Sequence, residues 1–241
     1  MVLTCYLAMT AGEIAGAAPR PRHPAWMACH LSPYGTGLSN CPDSFPTGAM
    51  LIVNDRTPAF GHDPELIASQ LTQLAEEFAP EAVLLDFQRP DVPLTAAIAK
   101  AITGKLPCPV GVSSLYAEEL TCPVFLPPPP LHQPLKAYLA PWDGRELWLE
   151  AALNSEEILV TDQGSRFIPI YDKDAPPLHG DAALHCHYRI ALSETEARFT
   201  LTRTAEDLGA LLQEAEAMGV RLAVGLYQEL GAVSPEKLNI E

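Results

Sequence analysis

A short run of branched apolar residues, Ala82-Val-Leu-Leu85, is closed upstream by Pro80 and downstream by the polar stretch Asp86-Phe-Gln-Arg-Pro90. A continuous apolar run too short for a helix suits a strand buried on both faces, the condition of a parallel sheet. The pattern recurs at Val2–Met9, Ala25–Leu31, Met50–Val53, Val110–Ser113, Pro123–Leu126 and Leu222–Tyr227. Helical periodicity lies between several of these runs. Asp63 followed by Pro64 is a strong helix start, and Leu66, Ile67, Leu71, Leu74 and Phe78 form one apolar stripe. A shorter helix is expected from about Leu94 to Ile102, closed by Gly104. Thr204 with Asp207 reads as a capping box that opens a helix ended by Gly219. The first connection carries Pro19, Pro21 and Pro24, which exclude a long helix.

The pattern changes after Trp142. Leu147–Leu153, Ile158–Thr161 and Arg166–Ile170 alternate with period two, and Asp162-Gln-Gly-Ser165 joins the last two as a hairpin turn. A second hairpin runs from His185–Leu192 to Arg198–Arg203. Strands alternating with helices at both ends predict one α/β domain over residues 1–241, a TIM-type (β/α)8-like barrel with antiparallel hairpin additions within about 143–204. An open doubly wound sheet is the other arrangement that fits.

The chain has 241 residues and a formal net charge of −15, with its 15 basic residues scattered. That balance argues against nucleic-acid and anionic-membrane partners, because both need basic patches. No apolar run approaches the length of a membrane span. The apolar start at Val2–Met9 lacks preceding basic charge, so it reads as an internal strand rather than a secretion signal. Six widely spaced cysteines without a CxxC pair fit a reduced, cytoplasmic setting. GxSxG, the P-loop and GxGxxG are all missing, so serine-hydrolase and nucleotide readings lack support and no cofactor is expected.

Polar groups at the carboxyl ends of barrel strands belong to the active face. Asp86 and Gln88 stand two apart and so point the same way at such an end, with Arg89 beside them. An Asp that caps the next turn and pairs with Arg89 would leave the same letters. Asp55 and Arg56 follow another strand, Ser113 ends a third, Tyr171 and Asp172 follow a fourth, and Tyr227 and Glu229 follow the last. These positions are expected to gather around a small-molecule or oligosaccharide ligand. Oligomeric state is not legible in them.

The stretch around Asp86 resembles the central motif of the chitinase-type family-18 glycoside hydrolases, whose fourth barrel strand ends in acidic residues two apart, finishing Asp-x-Glu. Asp86 and Phe87 match the penultimate Asp and its following aromatic, and three strands precede them as the family requires. Ile170-Tyr171-Asp172 and Leu226-Tyr227-Gln-Glu229 resemble two later strands of the family. The resemblance implies a sugar-binding cleft in which Asp86 and the residue at 88 are catalytic and Tyr171, Asp172 and Tyr227 contact substrate, and Asp55, Arg56 and Arg89 are expected to join them from their strand-end positions. The sequence departs from the motif at the decisive position. Gln88 stands where the family keeps its proton-donating Glu, Leu84 replaces the preceding acidic residue, and Glu81-Ala82 replaces the initial Asp-Gly. Glutamine keeps the shape and hydrogen bonds of glutamate but has no proton to give. Cleavage by the family route is then impaired or absent, and the chain is either a glycan-binding relative or one in which another carboxylate has taken the role. Asp55, Glu118, Glu119, Asp172 and Glu229 are the candidates, with Asp86 facing Glu229 as one such catalytic pair. The alternative from a different class is a metal-dependent hydrolase built on His185, His187 and a carboxylate, completed by His30 or His179.

Overall fold

The computed structural model describes residues 3–19, 21–55, 62–89, 92–170, 179–231 and 233. In chain order the elements are β1 (Thr4–Met9), α1 (Ala11–Gly16), β2 (Pro24–Leu31), β3 (Leu38–Ser39), β4 (Met50–Asn54), α2 (Pro64–Phe78), β5 (Ala82–Asp86), α3 (Val92–Ile102), β6 (Val110–Ser113) and β7 (Val124–Leu126). They continue as α4 (Leu135–Leu139), β8 (Leu147–Ala151), β9 (Ser155–Thr161), β10 (Gly164–Ile170), β11 (His179–Asp181), β12 (Cys186–Leu192), β13 (Glu196–Thr202), α5 (Ala205–Ala217), β14 (Leu222–Leu226) and α6 (Tyr227–Leu230).

The parallel strands β1, β2, β4, β5, β6, β7, β8 and β14 form a closed barrel, sealed where β1 pairs with both β14 and β2. The short β3 adds antiparallel to β2. The expected TIM-type barrel is therefore present, and Asp86 ends its fourth strand. One expectation is corrected. The alternation of Leu147–Leu153 predicts an antiparallel addition, but β8 is a parallel barrel strand between β7 and β14. The alternation has another cause: at the top of a barrel strand the inward positions turn polar while the outward ones stay in the core.

Period-two patterning sorts each barrel strand between two cores. Outward residues such as Leu51, Val53, Val83, Leu85 and Leu149 pack with Ile67, Leu71 and Ile98 of the helices. Inward residues, among them Tyr6, Ala8, Met50, Ile52, Leu84, Phe125, Trp148 and Val224, fill the barrel. Trp148 is 1% exposed and owes its place to Gly111 across the interior, where an added Cβ would lie 2.4 Å from the indole. The helix α2 begins as its sequence predicts, with the Asp63 side chain accepting from the Glu65 N–H and Pro64 in the first turn. α5 likewise carries a complete capping box from Thr204 and Asp207.

The antiparallel strands form a separate five-stranded sheet inserted between β8 and β14, in the order β10-β9-β13-β12-β11. Both expected hairpins are present. The insert leaves and rejoins the barrel at neighbouring points, because Ser155 pairs with Thr202 and the Arg203 N–H donates to the Asn154 carbonyl at 3.0 Å. The Arg203 guanidinium, 1% exposed, donates to the carbonyls of Pro129 and His185 and to Asn154 Oδ1. Glu156 accepts from the Leu131 N–H at 3.0 Å and pairs with His132 at 2.7 Å. These bonds tie the sheet to the loop after the proline tract.

Candidate active site

The carboxyl ends of the barrel strands open onto a cavity of about 370 Å3. Its floor is apolar, made by Ala8, Met27, Ile52, Leu84, Phe125 and Val224, all inward residues. Its polar rim contains Asn54, Asp55, Asp86, Gln88, Arg89 and Glu150. Parallel pairing places Asn54 opposite Asp86, so the ends of β4 and β5 lie on the same face of the barrel as expected.

Asp86 is the last residue of β5, and the Gln88 amide donates to its carboxylate at 2.6 Å. Burial raises the Asp86 pKa, the Gln88 hydrogen bond opposes the rise, and the charge of Asp55 adds to it. Asp55 is 8% exposed, and its two carboxylate oxygens accept the backbone N–H groups of Gln88 and Arg89 at 3.0 and 2.7 Å. It therefore fixes the turn that carries Gln88. Asn54 donates to the carbonyls of Met27 and Cys29, tying β4 to β2 just below the rim.

Glu150 is the residue that the sequence reading missed. It lies on β8 beside Val224, two positions after the inward Trp148, and so points into the cavity. Burial, then the nearby charges of Asp86 and Glu229, push its pKa up to about 7. Among the described residues no hydrogen bond or ion pair reaches its carboxyl. The available signal was one acid within Leu-Trp-Leu-Glu-Ala, at the inward parity of a strand that belongs to the barrel.

The other expected residues divide. Arg89 is half-buried and lines the cavity. Glu229 lies on α6, outside the cavity lining, and its carboxylate accepts the Leu153 N–H at 2.8 Å. Tyr227 is half-buried at the start of α6 with its ring against Gly231. Ser113 is buried at the end of β6 and is not a lining residue. Glu118 and Glu119 fall on the helical turn after β6. Arg56, Tyr171 and Asp172 lie outside the described residues. None of the long loop from Ser32 to Gly48 lines the cavity.

The histidines of the metal-dependent alternative do not converge. His185 pairs with Glu214 at 2.5 Å and His187 with Asp207 at 2.7 Å, two acids placed two turns apart along α5. Among the described residues no three His, Cys, Asp or Glu side chains are grouped to hold a metal ion. No helix among them is long and apolar enough to cross a membrane.

The barrel is similar to solved structures of chitinases and chitinase-like proteins. The chitinase-like agglutinin of Robinia pseudoacacia matches with a TM-score of 0.61 at 12% identity, over 97% of this chain and 96% of that one. A GH18 chitinase from Cycas revoluta in complex with (GlcNAc)3 matches with a TM-score of 0.58 at 11% identity, over 97% and 98%. The Bacillus cereus spore cortex-lytic enzyme SleL matches with a TM-score of 0.56 at 11% identity, over 99% of this chain and 73% of that one. At such identities the likeness establishes the fold. No protein-family model matches the chain, and no curated protein matches it in sequence.

Proposed function

We propose that this glycoside-hydrolase-like barrel acts on a glycan held in its mouth, with N-acetylglucosamine oligomers as the first substrate class to test. The observation that carries the reading is the cavity itself: an apolar floor beneath Asp86 and Gln88, at the end of the fourth barrel strand. A sugar ring presents apolar faces and a hydroxyl edge, which such a floor and rim complement. The similar Cycas revoluta chitinase holds (GlcNAc)3 on the same fold. Asp86 accepts from the sugar, Gln88 positions it through its amide, and Arg89 borders it. Gln88 delivers no proton, because an amide is not an acid in this range. A cytoplasmic setting belongs to this reading, resting on six cysteines widely spaced in the sequence without a CxxC pair.

Calorimetric titration with N-acetylglucosamine trimer and tetramer tests the reading. Binding is expected, weakened by at least about tenfold in Asp86→Ala, as fits loss of a charged hydrogen-bond acceptor. A folded protein that binds neither oligomer nor any member of a glycan array, or an Asp86→Ala variant that binds as wild type, overturns it.

A further inference from the structure

Gln88 leaves the cavity without a proton donor on the fourth strand, and one other carboxyl points into the same space. Glu150 approaches from the seventh barrel strand, across the mouth from β5. Its carboxyl has no partner among the described residues, whereas the neighbouring acids are engaged: Asp86 by the Gln88 amide, Asp55 by two backbone N–H groups, Glu229 by the Leu153 N–H. Burial and the neighbouring acids disfavour the charged form of this carboxyl, so it stays protonated or meets a ligand that offers a donor.

We infer that Glu150 is the general acid of this site and that the protein hydrolyses the glycan it binds, a step that rests on the glycan reading above. The division of labour with Asp86 follows from their surroundings. Burial raises the pKa of both carboxyls, but at Asp86 the Gln88 hydrogen bond opposes the rise, whereas Glu150 receives no such bond and is pushed up to about 7 by burial and by the charges of Asp86 and Glu229. In the step, Glu150 gives its proton to the glycosidic oxygen as the bond from that oxygen to the anomeric carbon breaks, the bonding pair going to oxygen. Water adds to the anomeric carbon, and its surplus proton passes to the Asp86 carboxylate. One glycosidic bond and one water become two hydroxyl-ended sugars, and solvent returns the proton from Asp86 to Glu150.

The experiment compares wild type with Glu150→Gln, a near-isosteric change, by binding and by turnover. Two N-acetylglucosamine oligomer substrates are used, one natural and one with a dinitrophenyl leaving group that needs no protonation. Glu150→Gln is expected to bind with a Kd within about threefold of wild type. Its turnover of the natural oligomer should fall by at least about 100-fold, with the dinitrophenyl substrate largely spared. The alkaline limb of the wild-type pH profile, near pH 7, should vanish in the variant. Binding without turnover by wild type overturns the inference alone, as does equal turnover of the natural oligomer by the variant. Absence of binding overturns the glycan reading and the inference with it.

Discussion

Replacing Asp55 tests how the mouth is built. Its carboxylate accepts two backbone N–H groups, at 3.0 and 2.7 Å, from a side chain that is 8% exposed. Hydrogen bonds to charged groups contribute about 1.5–3 kcal/mol each, so Asp55→Ala removes up to about 3–6 kcal/mol, less whatever water recovers at the exposed Gln88. Asp55→Asn is the sharper perturbation. Its oxygen can accept one N–H, while its own NH2 faces the other donor, and about 2 kcal/mol should be lost. Urea unfolding followed by tryptophan fluorescence measures this directly, with the slope unchanged if only stability is altered. If Asp55→Asn loses less than about 0.5 kcal/mol, the clamp on Gln88 and Arg89 is not a stabilising contact and the geometry assigned to the turn is wrong.

Gly111→Ala should lose about 1–3 kcal/mol, because the new methyl meets the Trp148 ring deep in the barrel; denaturant unfolding that matches wild type would refute the packing argument. Glu150 makes stability depend on pH. Folding raises its pKa from an ordinary 4.5 to about 7, so its favourable contribution is full below about pH 4.5, declines as pH rises and is gone above about 7. The span is ~3 kcal/mol at most, and it should disappear in Glu150→Gln; parallel pH–stability curves for the two proteins would count against the burial of that carboxyl.

Most of the barrel was legible because its strands are buried on both sides and so spell continuous apolar runs, most of them ended by a polar residue or a proline. The boundaries of β2, β4, β5, β6, β7 and β14 follow those runs closely. Asp86 and Gln88 were legible for the same reason: they are where the run ends. Glu150 was not, because an inward acid within Leu147–Ala151 gives a barrel strand the alternation of a half-exposed hairpin. Local pattern reports which positions alternate; it does not report whether the polar side faces solvent or a cavity. Asp55 was legible as a rim residue, but its bonds to the backbone some thirty positions later depend on register between β4 and β5. The pairing of His185 and His187 with separate acids of α5 is likewise a tertiary fact.

The inserted sheet begins at Ser155 and ends at Thr202, and these two residues are partners in one ladder. To the barrel, therefore, the whole insert is a connection whose ends already touch. The entropy of closing that long excursion is met inside the sheet, by the β9–β13 ladder, and not by β14 when it docks between β8 and β1. Sequence drift, lengthening of the β12–β13 turn, or exchange of the outer hairpins can then proceed without displacing the strand that carries Glu150. The strand that carries Glu150 is thus held by its own ladders with β7 and β14, while the inserted sheet closes upon itself.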